Sequence, residues 1–368
     1  MAALSDALLQ PPRHGGDLQQ AAQRYGIAPA QWLDLSAALN PEPFPLPPLS
    51  PALFQTLPDD GALLQCAAEY YFGSSDTVGP SHAVGVSNDA VAQLVAAAGS
   101  QAIIQLLPLL RPACRVAVPA IGYREHAFRW QLAGHEVVEY DPRHADALSA
   151  LAAHVDVLVV INPNNPLALE TAPTQLREWL QQLQPRGGWL VVDEAFADSA
   201  PSLSMASQVG APGLVVLRSL GKFFGLAGMR CGFALCWPQL AQQLRVALGP
   251  WAVSGPTQAV AAAALADRDW QKRARPQLLA ASRACGDMLE RALRRFDGQL
   301  LRSVLFNSVV LRAEQAVAVQ QQLAHAAIWC RLVELDRGEA LLRFGLVSPT
   351  NDANWSQFQR GLASLSSL

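Results

Sequence analysis

Short, continuously apolar runs alternate along this chain with longer segments in which apolar residues recur every three to four positions. The runs at 155–162 (VDVLVVIN), 188–193 (GWLVVD), 213–218 (GLVVLR) and 232–237 (GFALCW) lack the polar alternation of a strand with one wet face. Each therefore predicts a strand covered on both sides, as in a parallel sheet. Weaker runs at 93–99, 115–118 and 135–140 extend the set. Helical spacing predicts helices over 100–110, closed by Arg111-Pro112, over 123–133, stopped at Gly134, and over 173–183. Beyond Pro238 the pattern turns helical, over 239–248, 256–266 and 270–296, before strands return near 304–312 and 340–346.

Upstream, a short helical stretch reaches Tyr25, and 63–72 predicts an amphipathic helix ending at Gly73. Between them prolines stand at 41, 43, 45, 47, 48 and 51, a spacing that forbids helix and predicts an extended crossing segment. The expected fold class is α/β, a large domain with a mostly parallel sheet and a smaller α+β C-terminal domain. The expected division is 1–50 for an arm and crossing segment, 51–247 for the large domain and 248–368 for the small one.

Composition narrows the class. At 368 residues the chain is long enough for about two domains. Hydrophobic residues make up 51% and charged residues 15%, which fits a well-buried enzyme and not a disordered chain. A net charge of −3 offers no attraction for nucleic acid or anionic membrane. No apolar run approaches a membrane span, and the first residues, MAALSDALLQPPRHGGD, lack the basic start of a secretion signal. Six cysteines without a C-x-x-C pair predict reduced thiols in the cytoplasm and give metal binding no support.

Candidate chemistry concentrates just past strand ends, where open α/β sheets place ligands. Ser219–Arg230 (SLGKFFGLAGMR) follows the strand at 213–218, with glycines at 221, 225 and 228. A lysine in such a crevice loses hydration, its pKa falls, and the neutral amine can attack a carbonyl to form a Schiff base. Ser219 and Arg230 can together hold a phosphate. A surface lysine in a Gly-rich loop is the alternative. A nucleotide phosphate loop is excluded, because Val216 stands at its first glycine and Phe223 at its Ser/Thr. The Gly99-Ser100-Gln101 turn opens a helix and can receive an anion, or it is an ordinary turn with a serine cap. Tyr123, Asn165 (in INPNNPLA) and Asp193 (in VVDEAFAD) also follow strand ends. His126 receives no role.

S-x-x-K-x7-R with interspersed glycines resembles the lysine motif of fold-type-I enzymes that use pyridoxal 5′-phosphate (PLP), in their aminotransferase class I/II branch. The spacing from Asp193 to Lys222 is similar to that of the family. The resemblance implies that Lys222 carries PLP and is catalytic, and that Asp193 pairs with the ring nitrogen so that the ring can act as an electron sink. It further implies that Asn165 bonds the ring 3-oxygen, that Tyr123 stacks on the ring, and that Gly99, Ser100, Gln101, Ser219 and Arg230 hold the phosphate. Arg343 (in LLRFGL) would take the substrate carboxylate. His14, Gly15, Gly16 and Asn40 would close over the substrate. The HGGD segment at 14–17, LDLSAALNP at 33–41 and DEAF in place of the usual DEAY are similar to a branch that decarboxylates a phosphorylated amino acid. Its near relatives are aminotransferases, and transamination is the alternative activity. A homodimer is implied, with no nucleic acid and no membrane partner. Departures from the family are Leu167-Ala168 where Thr-Gly is usual, Phe196 for Tyr, and Leu57 where relatives carry a tyrosine that reaches the partner's phosphate site.

Overall fold

Leu176, Trp179, Leu180 and Leu183 lie on one face of the helix Pro173–Leu183 and are buried, as their i, i+3, i+4, i+7 spacing requires. Pro173 opens that helix at a position whose N–H would go unpaired anyway. The same logic runs through the protein. A computed structural model describes residues 11–12, 15, 18–73 and 87–368.

In chain order the strands are β1 (Leu33–Asp34), β2 (Leu94–Ala97), β3 (Arg115–Pro119), β4 (Glu136–Tyr140), β5 (Val157–Ile161), β6 (Trp189–Asp193), β7 (Leu214–Ser219) and β8 (Gly232–Cys236). Then follow β9 (Gln299–Arg302), β10 (Phe306–Arg312), β11 (Ile328–Trp329), β12 (Arg331–Glu334) and β13 (Glu339–Gly345). A seven-stranded sheet has the order β2-β8-β7-β6-β5-β3-β4, with β8 antiparallel to both neighbours and the other pairings parallel. Every residue of β5, β6 and β8 is buried, because helices cover both faces. Each fully buried Val or Leu there contributes about 1.5–3 kcal/mol relative to exposure.

A second, antiparallel sheet, β12-β13-β10-β9, forms the C-terminal layer, and β1 pairs in parallel with β11. The α/β reading and the strands of the large sheet match the sequence expectation. The short strands β9, β11 and β12 and the helices Ala313–His325 and Asp352–Ser364 carry weaker patterns and were not anticipated. The expected domain change at 247/248 differs from how the cores divide. Val260, Ala261, Leu265 and Leu278 pack in the same core as Leu63 and Leu64. Farther along the helix Arg268–Leu293, Cys285, Leu289 and Leu293 pack instead with β10 and β13. One continuous helix thus serves both cores.

The proline-rich segment crosses the sheet's ligand edge in extended form. Asn40 N–H donates to Lys222 O (3.0 Å) and Phe44 N–H to Phe224 O (2.9 Å). Gly225, at φ +69°, lies so close to this segment that a Cβ there would stand 2.8 Å from Pro43.

Candidate active site

The C-terminal ends of parallel strands collect the candidate residues. Asp193 is the last residue of β6 and Ser219 the last of β7, so both reach the same edge of the sheet. Lys222 follows in a turn whose backbone is held by the crossing segment. Its amine lies 5.3 Å from the centroid of the Phe196 ring. Burial above all, and then the charge of Arg343, lower its pKa to about 8. Phe196, buried at the position of the usual tyrosine, therefore forms an apolar wall for the amine.

Asp193 is buried, and its Oδ1 accepts from Ala195 N–H at 3.1 Å. Its Oδ2 lies 2.9 Å from His126 Nε2, and His126 is 2% exposed. The sequence reading missed His126. The available signal was its position three residues after Tyr123 at the start of the helix Glu125–Leu132, which turns it toward the same strand edge. Behind the site, Glu194 points away from Asp193 and accepts from Ser204 Oγ, Met205 N–H and Arg218 Nη1, each at 2.6 Å. Arg218 also pairs with Asp198. This buried cluster ties the ends of β6 and β7 together.

The loop after β5 is pinned by two buried asparagines. Asn162 bonds Thr171 through both amide atoms, and Asn164 bonds Ile121 O and Leu167 N–H. Asn165, between two prolines, is left partly accessible and accepts from Arg343 Nη1 at 2.7 Å. Arg343 sits on β13, 3% exposed, and also donates to Ser36 O. Its buried Nε has no hydrogen-bond partner. Burial and the neighbouring Arg331 both press its pKa down, yet a guanidinium stays charged. A buried cation with a spare donor and no carboxylate partner among the described residues is matched to an anionic ligand.

Arg331 was also missed. It lies opposite Arg343 in the β12–β13 register and lines a cavity of about 240 Å³ with Tyr123, Asn165 and Pro166. Burial lowers its pKa, and it belongs to none of the ion pairs among the described residues.

At the other end of the cleft, Gly99 (φ +82°) precedes the helix Ser100–Leu106. Ala102 N–H is the first to return to the turn, at Gly99 O (3.2 Å), so the Ser100 and Gln101 N–H groups precede the ladder. A Cβ on Gly99 would stand 2.6 Å from Arg230 Nη2, which puts the guanidinium against the turn. Gly232, beside Ser219 in the β7–β8 register, would place a Cβ 2.4 Å from Ser100 N. Gly99, Ser100, Ser219 and Arg230 thus converge on one cradle with room for an anion and none for extra side chains.

The side chains around the cleft take the following places. The Asn40 amide is engaged within the chain: its Nδ2 donates to Phe223 O and its Oδ1 accepts from Glu42 N–H, so it holds the lysine turn. The Gln101 side chain is bonded to Tyr123 and Glu125, leaving its backbone N–H for the cradle. Gly99, not a serine, caps the helix. Gly15 lies beside Ser36 O and Arg331, where a Cβ would come within 2.6 Å of the carbonyl. His14 and Gly16 lie outside the described residues.

The residues present fit a phosphorylated pyridine aldehyde. An amine of lowered pKa, a buried carboxylate, a guanidinium-bearing anion cradle and a buried arginine with a spare donor meet along one cleft. The sequence matches the aminotransferase class I and II family over residues 52–356, and the chain belongs to that family. It is 42% identical to threonine-phosphate decarboxylase of Pseudomonas aeruginosa over 351 residues, covering 95% of this chain and 96% of the relative. Among solved structures, histidinol-phosphate aminotransferase from Sinorhizobium meliloti in complex with PLP superposes with a TM-score of 0.78 at 20% identity, covering 100% and 99% of the two chains. L-threonine-O-3-phosphate decarboxylase from Porphyromonas gingivalis gives 0.70 at 17% identity, covering 91% and 99%.

Proposed function

We propose that this protein is a PLP-dependent carboxy-lyase that converts L-threonine O-3-phosphate to (R)-1-amino-2-propanol O-2-phosphate, a step of cobalamin biosynthesis. The observation that carries the reading is the pair of neighbouring guanidiniums, Arg343 and Arg331, on adjacent strands at the cleft. A substrate with a carboxylate at one end and a phosphate at the other answers both. The extent of similarity to the Pseudomonas aeruginosa decarboxylase supports the same choice.

Lys222 would hold PLP, with Gly99, Ser100, the Gln101 backbone, Ser219 and Arg230 around its phosphate, Asn165 and Tyr123 beside its ring, and Asp193 at its ring nitrogen. When bound, PLP supplies an electron sink for whichever bond at the substrate's Cα breaks. The chain's own residues decide the rest. Asp193, oriented by His126, keeps a proton on the ring nitrogen. Arg343 binds the substrate carboxylate and Arg331 the phosphate. Lys222, whose pKa of about 8 leaves its free side chain able to carry a proton at neutral pH, can as the ammonium deliver that proton to Cα after carbon dioxide leaves.

Carbon dioxide release from L-threonine O-3-phosphate without 2-oxoglutarate tests the reading. Release matched by aminopropanol phosphate supports it. No release, with amino transfer from histidinol phosphate to 2-oxoglutarate, would overturn it in favour of an aminotransferase.

We also propose a homodimer. Phe54, Leu57, Val246 and Trp251 expose 58–77% of their surface, and the last two share one surface hollow with Pro58. Sedimentation of an active monomer would refute it. Six unpaired thiols are in keeping with a reducing, cytoplasmic setting.

A further inference from the structure

Gln101 joins two parts of the cleft that the fold brings together from separate elements. Tyr123 Oη donates to Gln101 Oε1 at 2.8 Å, and Gln101 Nε2 donates to Glu125 Oε2 at 2.6 Å. The same carboxylate oxygen accepts from Arg129 Nε at 3.0 Å, one turn along the helix Glu125–Leu132. Glu125 is 4% exposed. A carboxylate paired with a guanidinium only accepts, so the amide nitrogen of Gln101 must face Glu125 and its oxygen must face Tyr123. The phenol is then necessarily the donor. Its pKa, pushed up to about 12 chiefly by burial, keeps it protonated for that role.

The four residues form one directional chain from a half-buried ion pair to an aromatic ring at the cleft. We propose that Gln101 is a positioning residue: its side-chain amide fixes the Tyr123 ring against the bound cofactor, anchored by Glu125 and Arg129. The backbone of Gln101 belongs to the phosphate turn, so one residue sets both the ring contact and the phosphate contact. This deepens the functional reading above and rests on it. Losing the side chain removes one donor from the Glu125 carboxylate and one acceptor from the Tyr123 hydroxyl. The ring is then held less tightly, and its contact with the cofactor weakens without the loss of any group that touches the cofactor directly.

The test follows PLP release from the holoenzyme by its visible absorbance after dilution, in Gln101→Leu, Tyr123→Phe and the double variant. Each single variant should release PLP roughly tenfold faster, the effect of one partly buried hydrogen bond left unmade. The double variant should match either single variant, because both substitutions cut the same link. A merely structural role for Gln101 would shift the melting temperature without moving the visible band or the release rate. Gln101→Glu sets two carboxylates against each other and should release PLP fast. Adding Glu125→Gln exchanges the two groups, restores a donor between them and should return release toward wild type. That rescue keeps the test decisive should Gln101→Leu fail to fold. Release from Gln101→Leu within about twofold of wild type, or effects that multiply in the double variant, would overturn the proposal. Wild-type protein that takes up no PLP would refute the functional reading itself, whereas wild-type uptake with an indifferent Gln101→Leu refutes this inference alone.

Discussion

His126 Nε2 stands 2.9 Å from Asp193 Oδ2, with both side chains buried at the end of β6. The imidazole satisfies one carboxylate oxygen while the Ala195 N–H satisfies the other. Asp193 is thereby held in one orientation toward the cleft. Replacing His126 by Phe leaves a buried carboxylate oxygen without its donor, which costs about 1–3 kcal/mol. Turnover should fall by roughly tenfold or more, with KM changed less, since about 1.4 kcal/mol is one decade. Steady-state kinetics check this, and an unchanged kcat would contradict the role.

Lys222 should show its surroundings in a pH profile. The neutral amine is the reactive form, and its pKa is lowered to about 8, so the rate of PLP uptake by the cofactor-free protein should rise with pH through about 8 and then level off. A midpoint near the ordinary lysine value would contradict the burial argument. The stability of the cofactor-free protein follows the same group. Its folded-state pKa lies below the unfolded value, so the unfolded chain holds more protons between the two. Lys222 therefore opposes folding fully below pH 8, and stability is recovered as pH rises from about 8 toward 10.5. Lys222→Ala should remove this dependence and abolish turnover.

Arg331 and Arg343 should separate by substrate. Arg331→Gln should lower kcat/KM for the phosphorylated amino acid on the order of ten- to a hundredfold, the worth of a charge-assisted bond, and leave the unphosphorylated amino acid nearly unaffected. Arg343→Gln should penalise both, because both carry the carboxylate. Equal losses for both substrates in Arg331→Gln would remove its assignment.

The cluster behind the site predicts a stability effect. Arg218 pairs with Glu194 at 2.6 Å and with Asp198, all three being buried. Arg218→Met strands two carboxylates without their cation and should destabilise the fold by about 3–5 kcal/mol. Chemical denaturation measures it. Adding Glu194→Gln should recover part of the loss, because it removes one uncompensated charge.

Much of this architecture could be read from local pattern. β5, β6, β7 and β8 are buried on both faces, and such strands must be apolar throughout, so their positions stand out in the chain. Lys222, Asp193 and Arg230 stood out as candidates for a related reason: they lie within a few residues of those strands, and a strand end fixes where the next side chain can go. Arg331 and His126 were not. Arg331 lies on a four-residue strand that is half-exposed, and its importance comes from standing beside Arg343 in a register that only sheet pairing creates.

Asn40 shows the opposite case. It sits in a segment whose resemblance points to the ligand, yet the backbone of the lysine turn claims its amide. Gln101 likewise changes meaning once Tyr123 and Glu125 are beside it. Periodicity and chain punctuation record what each residue needs from its own strand or helix, namely burial, a cap or a turn. Hydrogen bonds between residues far apart in the chain leave no such periodic trace. For this protein the strands, the lysine loop and the family were therefore written locally, whereas the paired arginines, the Asp193–His126 contact and the partners of Asn40 and Gln101 came into being when the chain packed.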